Sequence, residues 1–180
     1  MILPIVKYGD PVLRKKGAVI DKVTPEIRRL AADMLATMRA AKGIGLAAQQ
    51  VGKALRLAVI DIPEDTDRPS RLWLNGKEAA VRDFMPLVLI NPRITITKKK
   101  EIDGEGCLSF PGINADISRG FRVTVEYVDL EMKACRFEAA GLLGRAVQHE
   151  MDHLDGVLFI DRMERRDREE LKEKIEAARG

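Results

Sequence analysis

Histidine, the side chain most versatile in acid–base and metal chemistry, is scarce here. The 180 residues contain two, His149 and His153, against 31 lysines and arginines and 28 aspartates and glutamates. Tryptophan occurs once, at Trp73. Cysteine occurs twice, at Cys107 and Cys135, so any disulfide framework is limited to one bridge. No apolar run approaches the roughly 18 residues that a membrane span needs. The opening MILPIVKYGDPVLRKKG has no basic stretch followed by an apolar core, so no secretory signal is expected and both thiols are expected to stay reduced. A net charge of +3 is too weak to argue for nucleic acid. What remains, 46% hydrophobic and 33% charged, is the composition of one soluble folded domain spanning 1–180.

Several segments declare their form. Residues 24–42 read as a helix, with Thr24 as N-cap, Pro25 at the first turn and Gly43 as the stop. Ile27, Leu30, Ala31, Met34, Leu35 and Met38 share one face of it. GIGLAAQQVG, residues 43–52, is too apolar for an exposed loop and too rich in glycine for a regular element. LRLAVIDI reads as a buried strand; PLVLINP and ITITKKK read as two strands broken at Asn91-Pro92. FRVTVEYV alternates Phe121, Val123, Val125 and Tyr127 against polar neighbours, and MKACRFEA is its expected hairpin partner. Residues 63–86 are long enough to suggest a flap or an insertion. GLLGRAVQHEMDHLDG reads as a helix ending at Gly156, and GVLFI as a short strand. From Asp161 onward, seven basic and seven acidic side chains with a thin stripe of Leu171, Ile175 and Ala178 predict a charged surface helix over 161–180. Helices at both ends with strands between them imply an α+β fold, mostly antiparallel, around the histidine-bearing helix.

That helix carries the chemistry. His149 and His153 are four apart, so both imidazoles lie on one face and can reach a single ion. Glu150 sits about 100° round the helix, placed to handle the proton of a bound water without ligating the ion. Leu143, Val147, Met151 and Leu154 put apolar residues on several sides, so the helix is expected to be buried. A catalytic ion needs a third protein ligand and an open position. With no further histidine, that ligand is a carboxylate or a thiolate. Cys107, in the glycine-rich DGEGCLSFPG, is the better thiol; Cys135 is in phase with Phe137 and reads as a core-facing strand residue.

Three segments, GIGLAAQQ (43–50), EGCLS (105–109) and QHEMDH (148–153), resemble the three signature motifs of the peptide deformylase family, in the same order. DPVLRKKG and LDGVLFIDR extend the likeness to about residue 162. The resemblance implies a single α+β domain and one divalent metal ion per chain, ferrous iron in preference, with zinc, nickel or cobalt as substitutes. It implies Cys107, His149 and His153 as ligands and Glu150 as acid/base. Gln50 and the Leu108 N–H would meet the developing oxyanion. The implied substrates are nascent polypeptides beginning with N-formylmethionine, and formate is released. Ile44, Leu142 and Ala146 would hold the methionine side chain, with the backbone at Gly45 and Gly106 alongside the peptide. Arg145 and Glu105 are expected at the pocket's edge, in a salt bridge or on substrate, and Asp152 behind the ligands or on the surface. Some relatives carry a basic residue a few positions after EGCLS; this chain has Asn114 there.

Cytoplasmic action of the bacterial type is expected, with no membrane or nucleic-acid partner. The tail is expected to be solvated, with transient docking on a partner such as the ribosome as the alternative. Two rival readings remain: an HExxH endopeptidase, and a binding module with a structural zinc closed by a fourth protein ligand.

Overall fold

The computed structural model describes Met1–Gly180. Nine strands and four α-helices are arranged as β1 Gly45–Ala47, β2 Leu57–Ile60, β3 Ser70–Leu74, β4 Lys77–Ala79, β5 Leu87–Ile96, β6 Lys100–Cys107, β7 Phe110–Gly120, β8 Arg122–Val128 and β9 Ala134–Ala140, with α1 Pro25–Ala40, α2 Gly141–Leu154, α3 Arg165–Glu170 and α4 Lys172–Ala177. Seven strands form one sheet in the order β1-β2-β5-β8-β9-β3-β4, and β6 and β7 form a second. Every strand pairing is antiparallel. The α+β fold is as the residue pattern implies.

Both faces of the large sheet are covered. Along β2, Leu57 and Val59 pack with Ala31, Met34 and Met38 of α1, while Ala58 and Ile60 pack with Leu143, Ala146 and Val147 of α2. The alternation follows from the two-residue period of a strand, and burial on both sides explains its unbroken apolar run. Helix α1 begins as expected, with the Thr24 hydroxyl accepting from Ile27 N–H at 3.3 Å. Helix α2 lies between the large sheet and the β6–β7 hairpin, and every residue from Leu142 to Leu154 is buried. Its first turn is tied to the chain before β3: Leu142 N–H donates to Pro69 O at 2.9 Å and Leu143 N–H to Ser70 Oγ at 2.9 Å. Gly141 permits this, with φ +67° and no room for a Cβ, which would lie 2.2 Å from Pro69 O.

Several expectations are corrected. The 63–86 stretch is no flap; it holds β3 and β4, which complete the large sheet beside β9. Cross-strand pairing to distant residues supplied that order, and local composition does not report it. GIGLAAQQVG forms β1 and a 3-10 turn, Ala48–Val51. The Asn91-Pro92 break is a bulge inside one continuous strand, β5. There the Asn91 side chain holds both backbone groups of Ile20, at 2.9 and 2.8 Å. GVLFI forms no strand and runs into a 3-10 turn, Phe159–Asp161. Phe121 precedes β8 and is 38% exposed, under the ammonium of Lys99.

The tail is two short helices, α3 and α4, rather than one surface helix over 161–180. Ile175 is 5% exposed and joins Leu13, Phe110, Ile117, Phe159 and Met163 in a separate apolar cluster beneath β7. The thin stripe is therefore a packing face. Ile175→Ala is expected to lower unfolding free energy by about 2–5 kcal/mol in urea denaturation. A loss below about 0.5 kcal/mol, the size of an ordinary surface change, would restore the solvated-helix reading.

Candidate metal centre

Helix α2 presents its polar face to the β6–β7 hairpin. His149 and His153 emerge one turn apart, and their Nε2 atoms are 3.2 Å from each other. Cys107, the last residue of β6, brings its Sγ to 3.4 Å from His153 Nε2. These three donor atoms lie within 4.8 Å of one another. Metal–nitrogen bonds of about 2.0–2.1 Å and a metal–sulfur bond of about 2.3 Å at tetrahedral angles require separations of about 3.3 and 3.6 Å. The donors therefore suit one shared ion, and three donors leave a position open. Cys135 lies outside this group, near Asp129 and the Lys133 carbonyl. It packs against the main core, as its strand phase implies.

One histidine ring, that of His149, is aimed from behind, while His153 Nδ1 has no hydrogen-bond partner. His149 Nδ1 and Glu105 Oε1 are 2.8 Å apart. With the ring proton on Nδ1, the Nε2 lone pair is free to ligate an ion. Glu105 also receives Arg119 through two hydrogen bonds, both 2.8 Å, and Arg145 at 2.9 Å. Burial alone would raise the Glu105 pKa; hydrogen bonds from Arg119 and His149 overcome it and hold the carboxyl far below its ordinary range. Arg119 continues to Asp152 at 2.5 Å, and Asp152 accepts two bonds from Arg162, at 3.1 and 2.7 Å. Glu105 and Arg145 line the cavity and are paired with each other in a buried network, the salt-bridge alternative of the two, and Asp152 stands behind the donor cluster. The sequence pattern does not single out Arg119 or Arg162, because pairing with Glu105 and Asp152 depends on how the hairpin and the chain after α2 pack.

The remaining site groups surround the same point. Glu150 is 3% exposed and its Oε2 has no hydrogen-bond partner. Burial pushes its pKa up to about 7. Gly45 makes room for it: a Cβ there would lie 2.3 Å from Glu150 Oε1. The Gln50 amide is oriented by Ala47 N–H, which donates to its Oε1 at 2.9 Å. Its Nε2 is left facing Cys107 Sγ at 3.6 Å and the Ser109 hydroxyl at 3.2 Å. Leu108 N–H makes no hydrogen bond within the protein, while Leu108 O accepts from Lys7 Nζ at 3.0 Å.

A cavity of about 440 Å³ opens from His149 and Glu150 and is lined by Ile44, Gly45, Gly106, Leu142 and Ala146. Each residue expected from the sequence to take part is therefore on this cavity or at the donor cluster. Two strand edges flank it, β1 at the end of the large sheet and β6 on the side away from β7. No helix is long and apolar enough to cross a membrane.

Arg119 stands between two buried acids, so Arg119→Met is expected to lower stability by about 3–5 kcal/mol in chemical denaturation. A variant as stable as the parent would show that the network is not under electrostatic tension.

Comparison with known proteins gives one answer. The family model for polypeptide deformylase matches residues 2–169. Peptide deformylase of Methylacidiphilum infernorum is 51% identical over 176 residues, covering 98% of this chain and 92% of the relative. That of Chlorobaculum parvum is 44% identical, covering 98% and 88%. Among solved structures, peptide deformylase from Ehrlichia chaffeensis matches with TM-score 0.84 at 35% identity, covering 98% and 96%. Peptide deformylase from Synechococcus elongatus, in complex with actinonin, matches with TM-score 0.80 at 41% identity, covering 96% and 85%. With the donor cluster, the cavity and the whole fold in agreement, the chain belongs to the polypeptide deformylase family.

Proposed function

We propose that this enzyme hydrolyses the N-formyl group from the formylmethionyl terminus of nascent polypeptides, releasing formate and a free amine. The observation that carries the reading is an open three-donor cluster of Cys107, His149 and His153 beside the unpartnered oxygen of Glu150. Family membership supports the same activity. An endopeptidase fits less well: a thiol is an unusual third donor for that class. A structural metal module would need a fourth protein donor, and the cluster has three.

Cys107, His149 and His153 would hold the ion, ferrous iron in preference because a thiolate donor suits a soft, redox-active metal, with zinc, nickel or cobalt as substitutes. When bound, the ion supplies Lewis acidity and eases proton loss from a water. Ile44 N–H, which makes no hydrogen bond within the protein, and the β6 edge near Gly106 offer an extended peptide a place between the two sheets. Leu142, Ala146 and Ile44 receive the methionine side chain, with Gly45 keeping the backbone clear for Glu150. Glu150 takes a proton from the attacking water as the formyl carbonyl is added to. The Gln50 amide and the Leu108 N–H donate to the oxygen on which charge grows, each worth about 3–4 kcal/mol where such donors have been removed. Glu150 then gives its proton to the leaving amine, which breaks the amide bond. Substrate of this kind is made in the bacterial cytoplasm, where we place the enzyme, with transient contact to the ribosome and no membrane or nucleic-acid partner.

The direct test is formate release from a formyl-methionyl tripeptide by protein purified without oxygen, with metal counted in the same sample. Formate with about one metal per chain is the expected result; none from metal-loaded protein would refute the proposal. Glu150→Ala is expected to retain metal and lose about a hundred- to ten-thousandfold in kcat; loss of the metal too would make Glu150 a ligand. Cys107→Ser is expected to reduce bound metal sharply, and full metal with full activity would remove Cys107 from the ligand set.

A further inference from the structure

The exposed charged side chains that line the cavity are basic. Its charged lining side chains are Lys7, Lys42, Arg68, Arg145, Glu105 and Glu150. Both acids are buried, 7% and 3% exposed. Arg145 is bound to Glu105, and Lys7 donates to the Leu108 carbonyl. Lys42 and Arg68 are left at the accessible end, Arg68 with Asp103 bound to one of its nitrogens from outside the lining.

Arg68 is the better placed of the two. One terminal nitrogen donates to Asp103 Oδ2 at 2.5 Å and to Gly104 O at 3.1 Å. Its Nε and other terminal nitrogen make no hydrogen bond, and the side chain is 38% exposed. The guanidinium is therefore held at one end with donors to spare, which lowers the entropy lost on meeting a ligand. Arg68 also borders a second, polar cavity of about 160 Å³ that holds Asp67, Glu101 and Asp103. Those three acids line that second cavity; Asp103 occupies one terminal nitrogen of Arg68, and the unbonded nitrogens are what a ligand in the substrate cavity could meet.

Strand geometry says what would reach it. Gly104, Gly106 and Cys107 lie along β6, and Gly104 is three residues from Cys107, about 10 Å at the rise of an extended chain. A peptide whose formyl group is at Cys107 and whose backbone follows this edge passes Arg68 two to three residues beyond its methionine. We propose that Arg68 is a specificity-determining residue that selects formyl peptides carrying a carboxylate side chain at their third or fourth position. Lys42 adds to the same field from the end of α1. The inference rests on the deformylase reading above.

The test compares kcat/KM for formyl-Met-Ala-X-X peptides with X as Glu, Lys or Ser, using metal-loaded protein at low salt. The parent is expected to favour Glu over Lys by about fivefold, the scale of one exposed ion pair. The difference should reside in KM, because the contact is remote from the reacting bond. Arg68→Gln should bring the Glu/Lys ratio close to one, and Arg68→Glu should invert it. A ratio within one protein is independent of the fraction that is folded or loaded, so a merely structural role for Arg68 would not move it. A parent ratio near one, or an unchanged ratio in Arg68→Glu, overturns the proposal while leaving the deformylase reading intact. If the Ser peptide yields no formate from loaded parent, that reading itself fails, and this inference with it.

Discussion

Two guanidinium groups and an imidazole converge on a single buried carboxylate, Glu105. The arrangement has a physical origin in the position of α2. A helix packed against a large sheet on one side and a hairpin on the other has no face for water. Its apolar residues find the sheet, and its polar ones must be satisfied by the hairpin. Glu105 of β6 and Arg119 of β7 supply that satisfaction, and Asp152 and Arg162 extend it to the chain that follows α2. A buried ion pair of this kind adds little net stability against an apolar replacement, yet it is costly to break in half. What it fixes is geometry: the hairpin cannot slide along the helix without separating charges out of water. Cys107 rides on that hairpin and His149 on that helix, so the same contacts set the donor spacing.

Reactivity is confined to what the frame leaves unfinished. The edge of β1 and the edge of β6 lack strand partners on the sides that line the cavity. Ile44 N–H and Leu108 N–H lack acceptors, and one oxygen of Glu150 lacks a donor. These open valences lie along one cavity, where the proposed reaction would use them; Gln49 Oε1 and His153 Nδ1 are buried without partners as well. Gly45 belongs to this set because any Cβ would occupy the space of the Glu150 carboxylate.

Much of the fold and of the donor cluster is legible in the sequence. Spacing alone put His149 and His153 on one face, since a helix repeats every few residues whatever it packs against. Thr24, Pro25 and Gly43 bounded α1 through local backbone chemistry. The charged network was half legible: Glu105, Arg145 and Asp152 stood out near the motifs, while Arg119 lies on β7, 14 residues from Glu105 and 33 from Asp152. No local rule ties it to either. The same limit hid the pairing of β3 with β9, which turned an apparent insertion into part of the main sheet. The tail misled for a different reason. A single buried isoleucine among fourteen charges leaves almost no periodic signal, although Ile175 closes an apolar cluster of its own.

The claim that Glu105 orients the metal-binding imidazole is open to one direct measurement. Metal affinity can be determined by competition with a chromogenic chelator for the parent and for Glu105→Gln, which keeps the shape and removes the charge. Loss of the carboxylate is expected to weaken the ion about 10- to 100-fold while the circular dichroism of the folded protein persists. An affinity equal to the parent's in a folded variant would contradict the account, and would mean that the donors are positioned by packing alone.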